Sequence, residues 1–222
     1  MAYRLLSYNQ PTLPPPFTDS LYKAVFFDKR NKEERPIFGF NAGAIFGVNM
    51  LKWLSIETGF EYSMKGYNRT SKNLIGANSY NPNGTIDSLK MYTLKQKSVY
   101  HYIEIPAGFN FHFGAKKVKA CIRTGVYLDW LMAFTSSINL SSPSAPAETT
   151  KKTSYKFQRV NRINCSPYLG IGFSYELNEA MRLDVTPMAS MQAISTDQTP
   201  ISSRLWNAGV SIVFHYGFIP VK

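Results

Sequence analysis

The feature that most constrains this chain is a strict alternation of apolar and polar residues that returns in segment after segment. In WLSIETGFEYSMKGY, residues 53–67, the even positions from Leu54 to Met64 carry Leu, Ile, Thr, Phe, Tyr and Met, whereas the odd positions from Ser55 to Lys65 are small or charged. A period of two places alternate side chains on opposite faces of an extended strand. The segment is therefore predicted to be a β-strand with one apolar face and one polar face.

Six further segments show the same alternation. They lie at residues 36–48, 99–113, 118–134, 162–176, 181–193 and 204–217. Three four-residue links, NMLK, GAKK and LNEA, join neighbouring segments closely enough to form hairpins. Single-chain bacterial barrels close with an even number of strands, so these seven strands need an eighth. Residues 20–28, SLYKAVFFD, are the preferred eighth strand, and residues 3–8 are the alternative.

The connections between these segments alternate in length. Short links fall at 49–52, 114–117 and 177–180. Longer stretches fall at 29–35, 68–97, 135–161 and 194–203. In an up-and-down barrel every second connection lies on the same rim, so the short links share one rim and the long loops share the other. This asymmetry is typical of short periplasmic turns and long extracellular loops.

The pattern alone leaves open which face of the strands meets water. In a soluble sandwich the apolar rows face a core, whereas in a membrane barrel they face lipid. The opposite rows are rich in glycine and charge, and this favours the barrel. No apolar run reaches the roughly 18 residues of a spanning helix, but a spanning strand needs only about 9–11. The predicted fold is all-β: an eight-stranded antiparallel up-and-down transmembrane barrel with short periplasmic turns and long extracellular loops.

The ends of the chain are predicted to lie outside this barrel. Residues 1–18 are expected to be a Pro-rich periplasmic segment, residues 19–218 the barrel, and residues 219–222 a periplasmic tail. The opening MAYRLLSYNQ lacks the apolar core of a secretory signal. If the protein is exported, the chain is therefore expected to be a mature form or a fragment.

Three stretches of the sequence resemble a known family. They are FGFNAGAIFGVNMLKWLSIETGFEYSMKG (38–66), YIEIPAGFNFHFG (102–114) with the VYLDWL strand after it, and the last strand ending in FHYGF (214–218). They resemble the PorT-like outer-membrane β-barrel domain family of Bacteroidota, whose Lys-Gly strand end and Tyr-hydrophobe-Glu-Ile-Pro strand match residues 62–66 and 102–106. The resemblance covers roughly residues 36–217 and implies an eight-stranded outer-membrane barrel with periplasmic termini. Members are linked to type IX secretion assembly, to surface functions and, in longer chains, to sensor or anti-sigma proteins.

Charged residues on the polar rows are predicted to face the barrel interior. They are Glu57, Glu61, Lys65, Glu104, Lys119, Arg123, Asp129, Glu176, Arg182 and Asp184. An eight-stranded barrel is only wide enough for side chains to fill it, so no pore is expected. Because buried charges must be paired, the set is predicted to be a structural salt-bridge network. A path for protons or a small solute is the alternative.

Aromatic residues are predicted to form two belts at the membrane interfaces. The belt near the long loops would contain Trp130, Phe134 and Trp206. The belt near the short turns would contain Trp53, Phe113, Tyr175, Phe214 and Tyr216.

The net charge of +11 is concentrated in the polar connections. The basic residues there are Arg69, Lys72, Lys90, Lys95, Lys97, Lys151, Lys152, Lys156, Arg159 and Arg162. A nucleic-acid role would require these residues on one element with stacking aromatics between them, and that arrangement is missing from the sequence. The predicted partners are outer-membrane lipid, the phosphates of lipopolysaccharide, or an acidic envelope protein. Solvated loops without a partner are the alternative.

Catalysis, cofactors and metals are not predicted. The three histidines are dispersed, and the two cysteines, Cys121 and Cys165, are expected to be free thiols on opposite faces. His101 with a loop serine is the one enzymatic option. Three functions follow in order of preference. They are a non-enzymatic structural or docking component of the outer membrane, the sensor barrel of a longer regulatory protein that spans both membranes, and an outer-leaflet lipid-modifying enzyme.

Overall fold

The computed structural model describes residues 2–8, 29–80, 86–114, 117–142, 145–154, 160–178, 180–196 and 201–216. Within these residues, one short helix, α1 (Lys29–Glu33), lies among ten β-strands. The strands are β1 (Ala2–Tyr8), β2 (Glu34–Pro36), β3 (Phe40–Leu51), β4 (Leu54–Tyr80), β5 (Ile86–Phe113), β6 (Val118–Ser142), β7 (Ala145–Ser154), β8 (Ile163–Glu176), β9 (Met181–Met191) and β10 (Ile201–Tyr216). In the described part of the chain, no helix has the length and hydropathy needed to cross a bilayer.

All ten strands belong to one antiparallel sheet. Its order is β1-β10-β9-β8-β6-β5-β4-β2, with β3 paired to β4 and β7 paired to β6. The strands β2 and β3 are successive segments along the same edge of β4, opposite residues 67–69 and 54–64. Each long segment of alternating sequence is thus one strand of a meander in which chain neighbours are also sheet neighbours.

The short links between strands lie where the sequence places them. The link after β5 opens with Gly114, whose φ of 131° lies in a region that residues with a Cβ rarely adopt. In the turn between β8 and β9, the backbone N–H groups of Leu177 and Asn178 donate to the carbonyl of Met181, and the Met181 N–H donates to the carbonyl of Asn178. These tight turns fix the registers, for example Phe113 opposite Ala120. A slip of one residue would exchange the two faces of a strand.

The apolar face of the sheet is exposed and the polar face is buried, which is the reverse of the arrangement in a soluble protein. On the apolar face, Phe60 and Ile171 are each 62% exposed. On the polar face, Arg123 is 3% exposed and Glu61 is 8% exposed. The apolar rows therefore form the outside of the molecule and the charged rows its inside, as the membrane interpretation of the sequence requires.

Contacts between strands that are not neighbours show that the sheet is rolled around its polar face. Asn110 on β5 donates a hydrogen bond to Asp184 on β9, although β6 and β8 lie between them in the sheet. Arg123 on β6 likewise reaches Ser211 on β10. At the sheet ends, β1 pairs with β10 and also lies beside β2 and β4. Among the described residues, the hydrogen-bonded ladder runs from β1 to β2 without a further pairing that joins these ends.

Two of the predicted long loops are largely strand. Residues 68–97 form the ends of β4 and β5, which continue to Tyr80 and from Ile86, and residues 135–161 contain the hairpin of β6 and β7. The prediction of loops there was wrong because these extensions are polar and lack the apolar alternation that marks the other strands. The preferred eighth strand, residues 20–28, lies outside the described residues, and the alternative, residues 3–8, falls on β1.

A β-bulge changes which way one predicted belt residue points. Tyr102 pairs with Leu131 and His101 pairs with Ala133, so β6 carries an extra residue at this point. The bulge reverses the alternation beyond it, and Phe134 turns inward to pack on Tyr100 with ring centroids 4.7 Å apart. The prediction that Phe134 faces lipid was therefore wrong, because a bulge inserts one residue without any mark in the sequence.

Candidate functional site

The ten predicted interior charges lie on the inner face at two depths. Seven are buried within the rolled sheet: Glu57, Glu61, Lys65, Glu104, Arg123, Asp129 and Asp184. The other three, Lys119, Glu176 and Arg182, lie at the rim of the short turns and are partly exposed. The buried set is divided into an upper and a lower cluster.

Lys65 and Glu104 form the centre of the upper cluster. Nζ of Lys65 lies 2.5 Å from Oε1 of Glu104, and both side chains are almost fully buried. Glu104 also accepts a hydrogen bond of 3.1 Å from Asn41, and the Lys65 ammonium lies 5.6 Å from the ring centroid of Tyr102. Moving two charges out of water is costly. This buried ion pair is therefore stable only because Asn41 and the Tyr102 ring also interact with it.

Asp129 also belongs to the upper cluster. Its Oδ2 accepts hydrogen bonds from the Ser166 hydroxyl and from the Gln192 amide at 3.4 Å. Gln192 in turn accepts a hydrogen bond of 2.6 Å from Thr196. The carboxylate is thus held by neutral donors from β8 and from the segment that follows β9.

The lower cluster joins four strands through two carboxylates. Nε of Arg123 lies 2.9 Å from Oε2 of Glu57, and the Asn110 amide donates to Oε1 of Glu57 at 3.0 Å and to Oδ2 of Asp184 at 3.1 Å. Asp184 is also within 3.0 Å of Nε of Arg182 and within 2.9 Å of Nε2 of His215. These contacts link β4, β5, β6 and β9, with β10 attached through His215.

Glu57, Asp184 and His215 come close enough together to resemble a metal site. One ligand atom of each lies within 4.8 Å of the others. Dispersed histidines in the sequence had argued against any such group, and the contact arises because the rolled sheet brings β4, β9 and β10 together. Each carboxylate oxygen of the trio already faces Arg123, Arg182, Asn110 or His215. Two guanidinium groups beside the carboxylates make the arrangement an ion-pair network and oppose a cation.

Five inner-face tyrosines were missed by the sequence reasoning. Tyr67, Tyr100 and Tyr102 form a buried cluster with Leu131 and Leu205 above the upper charges. Tyr127 and Tyr168, farther down, have ring centroids 4.5 Å apart. The signal was present, because all five occupy the same alternate positions as the buried charges. Parity places Tyr100, Tyr102, Tyr127 and Tyr168 on the polar rows, but only charged residues were included in the predicted interior set.

A glycine pair makes room for one of these tyrosines. Gly108 on β5 pairs with Gly125 on β6, and Gly125 pairs with Tyr168 on β8. A Cβ at Gly125 would lie 2.5 Å from Cα of Gly108 and 2.8 Å from the hydroxyl oxygen of Tyr168. The inner-face glycines therefore allow a large ring to lie flat against the sheet.

Gly125→Ala is expected to destabilise the protein by about 1–3 kcal/mol, because overpacking forces the backbone of β5 or the ring of Tyr168 to move. Equilibrium urea unfolding in lipid vesicles measures the change. Gly209→Ala is the matched control, since a Cβ there meets nothing within 4 Å. Equal stabilities for the two variants would show that the close approach at Gly125 is unimportant.

Comparison with protein families identifies this architecture. A family model for the outer membrane protein beta-barrel domain matches residues 20–187 of the 222 residues. The chain belongs to this family. It is a protein of the bacterial outer membrane. The comparison with curated proteins finds no matching relative.

Six of the predicted belt aromatics lie exposed on the outer face of the barrel domain. Trp130 lies toward the extended hairpins, and Trp53, Phe113, Tyr175, Phe214 and Tyr216 lie near the short turns. Trp206 is half-buried, and it lines a shallow apolar pocket on β8, β9 and β10. With Phe134 turned inward, Trp130 and Trp206 remain as the predicted upper belt.

The predicted basic residues of the barrel domain lie mainly on strands. Arg69 and Lys72 lie on β4, Lys90, Lys95 and Lys97 on β5, and Lys151 and Lys152 on β7, whereas Lys156 and Arg159 lie outside the described residues. Arg69 pairs with Glu33 of α1 at 3.2 Å. Lys72, Lys95 and Lys97 are exposed. Because Lys95 and Lys97 pair with Thr70 and Asn68, these three lysines share the outer face of the β4–β5 hairpin.

The remaining candidates have simple surroundings. Nδ1 of His101 lies 2.5 Å from the Tyr62 hydroxyl, and the two rings stack on the outer face. Cys121 is buried with its Sγ 3.5 Å from Oγ1 of Thr186, and Cys165 is half-buried on β8; both are free thiols. Of the described residues, a serine hydroxyl is not among the hydrogen-bond partners of His101.

Proposed function

We propose that the protein is a non-enzymatic structural or docking component of the outer membrane, built as a closed eight-stranded barrel with a charge-filled interior. Its contact surface is the cationic patch of Lys72, Lys95 and Lys97 on the β4–β5 hairpin. The observation that carries the proposal is the position of this patch: its three exposed lysines share the outer face of the β4–β5 hairpin, at the end of the sheet away from the short turns. Partners of such a patch carry phosphate or carboxylate groups.

The filled interior supports a structural role and argues against transport. The upper cluster, the lower cluster and the five inner tyrosines occupy the inner face from the short turns to the hairpins. An eight-stranded barrel has just enough room for such side chains. Opening a path for solutes would require several buried ion pairs to separate, which is costly in a low-dielectric interior.

The lengths of the connections support one orientation of the barrel. The turns of β3–β4, β5–β6 and β8–β9 are short, whereas β4–β5 and β6–β7 extend as long hairpins from the other rim. Short turns on the periplasmic side are the rule for these barrels. The cationic patch then faces the outer leaflet, where lipopolysaccharide phosphates lie. The resemblance to PorT-like barrels of Bacteroidota agrees with an envelope role of this kind.

The contact with lipopolysaccharide is tested by reversing the patch. Wild-type protein is expected to unfold at higher urea concentration in vesicles containing phosphorylated lipopolysaccharide than in vesicles containing its dephosphorylated form. The triple variant Lys72→Glu, Lys95→Glu, Lys97→Glu is expected to lose this difference, because it removes the charges that meet the phosphates.

The control carries Lys52→Glu and Lys117→Glu at the rim of the short turns, where both lysines are exposed. It should keep the wild-type response to phosphate. A phosphate response that survives in the triple variant, or that is absent from the wild type, contradicts the proposed contact.

A further inference from the structure

A shallow groove crosses β8, β9 and β10 on the apolar outer face. Its floor is a pair of small residues, Ala189 on β9 and Ala208 on β10, which lie directly opposite each other in the sheet. On β8, Leu169 lies opposite Ala189 and continues the same row. The next row toward the hairpins contains the bulkier pair of Met191 and Trp206. The two alanines therefore leave a depression between larger side chains.

The groove is accessible from outside and offers apolar contact to a ligand. Its cavity has a volume of about 440 Å³, and the surface that lines it is almost entirely apolar. Leu169 is 54% exposed and Met191 is 42% exposed. The floor strand β9 is paired on both sides, with β8 at residues 188–190 and with β10 at residues 181–191. Its backbone is therefore already used within the sheet, and a ligand is held by its apolar parts.

An exposed arginine lies beyond the hairpin end of the groove. Arg204 is exposed, whereas its chain neighbours Ser203 and Leu205 are buried. By alternation, Arg204 belongs to the outer row of Trp206 and Ala208. It lies four residues before Ala208, which is about 13 Å along a strand. The ion pairs of the described residues do not include Arg204. One outer row thus carries a cation above an apolar groove.

Position along β10 places the groove in the leaflet on the hairpin side. Ala208 lies eight residues before Tyr216, the last residue of β10, which is about 26 Å along the strand. With the tilt of about 40° that such strands adopt, this is about 20 Å of height within an apolar band about 25 Å tall. In the orientation of the proposed function, this side is the outer leaflet. Lipid phosphates there lie above the acyl chains, at the level of Arg204.

We propose that this groove binds lipid A, the acylated and phosphorylated anchor of lipopolysaccharide, with one acyl chain over Ala189 and Ala208 and a phosphate beside Arg204. An uncharged tail would use only the groove, and a free phosphate would use only the arginine. The combination therefore selects an amphiphile that has both parts. The proposal takes its membrane orientation from the proposed function, but the site is separate from the cationic patch on β4 and β5.

The first test measures which lipid lies against Trp206. A reporter with Trp53→Phe and Trp130→Phe keeps Trp206 as its single tryptophan, and it is folded in vesicles of brominated phosphatidylcholine, which quenches the fluorescence. Lipid A is expected to restore the fluorescence about fivefold more effectively than its dephosphorylated form, the usual effect of one cation near anionic lipid. Adding Arg204→Gln should remove this difference, whereas Arg204→Lys should keep most of it. Equal effects of the two forms, or a difference that is unchanged in Arg204→Gln, would overturn the proposal.

The second test fills the groove. Ala189→Phe places a ring where the acyl chain would lie, and native mass spectrometry of the full chain extracted from lipid A vesicles counts the lipids that it retains. Wild-type protein is expected to retain a lipid A molecule that Ala189→Phe loses. Ala107→Phe is the matched control, because Ala107 is an exposed alanine on the outer face of β5, and this variant should retain the lipid. Equal retention by Ala189→Phe and the wild type would overturn the proposal.

The triple lysine variant separates this site from the proposed function. Lys72→Glu, Lys95→Glu, Lys97→Glu should lose the response of stability to phosphate and still retain lipid A in the groove. Loss of the lipid from the triple variant together with retention in Ala189→Phe would place lipid A at the cationic patch and overturn the groove site. A lipid-free wild-type dimer that Ala189→Phe dissociates would show an interface between two copies, and this too would overturn the proposal.

Discussion

Arg123→Ala is expected to destabilise the barrel by about 3–5 kcal/mol, the usual cost of removing one partner of a buried ion pair. Nε of Arg123 lies 2.9 Å from Glu57, and both side chains are almost fully buried. Without the guanidinium, the Asn110 amide is the one close donor left to the Glu57 carboxylate among the residues that the structure describes. The loss of stability is measured by urea unfolding in vesicles. The folded and unfolded fractions are read from their different mobilities on gels.

Two controls separate lost charge pairing from lost volume. The double variant Arg123→Met, Glu57→Gln removes both charges at similar size, and it is expected to regain most of the stability because no charge is left unpaired. Lys119→Ala breaks the rim pair with Glu176, which is 2.6 Å long but partly exposed. Water screens that pair, so its loss should cost about 1 kcal/mol or less. If Arg123→Ala were as mild as Lys119→Ala, the buried network would not support the fold.

Ile171→Arg is expected to cost about 2–4 kcal/mol in a bilayer, the penalty for a cation on the lipid face of a barrel near the membrane midplane. Ile171 lies midway along β8 and is 62% exposed. In water such a change on an open surface would alter stability by about 0.5 kcal/mol at most. The size of the effect in vesicles therefore distinguishes a lipid-facing position from a hydrated one.

Position along the strand provides the control for this prediction. Tyr175 lies on the same face of β8 as Ile171 but near the short turn, where an arginine reaches the lipid headgroups. Tyr175→Arg is therefore expected to cost about 0–1 kcal/mol of stability. If Ile171→Arg costs no more stability than Tyr175→Arg, the outer face of β8 is not embedded in hydrocarbon.

Most of the fold could be predicted because alternation is a local property of the sequence. Glu57 and Ile171 are placed on their faces by parity alone, and the tight turns keep that parity from slipping. Bulges and polar extensions leave no such trace, which is why the bulge at His101 and Tyr102 moved Phe134 inside and why β4 reaches Tyr80. Pairings such as Asn110 with Asp184 depend on how the sheet rolls, and a single sequence does not specify this.

The charged residues of the site were predictable as a set, but not their partners. Parity selects the inner positions, yet it gives no reason for Lys65 to face Glu104 and Arg123 to face Glu57. Those pairings depend on the stagger between neighbouring strands and on side-chain length. The inward position of the neighbouring tyrosines, such as Tyr168 over Gly108 and Gly125, could have been predicted by applying the same parity rule to aromatic residues.

In the membrane, the apolar rows of the strands are expected to face hydrocarbon while the charged rows face inward. A nitroxide scan along β8 (Ile163–Glu176) in lipid vesicles measures this directly through collision with oxygen, which concentrates in lipid, and with a water-soluble nickel complex. Labels at the odd positions, including 167, 169, 171 and 173, should collide strongly with oxygen and weakly with nickel, and the even positions should be shielded from both. Strong nickel collision at 169 and 171, with oxygen collision weak at all positions, would contradict the central claim.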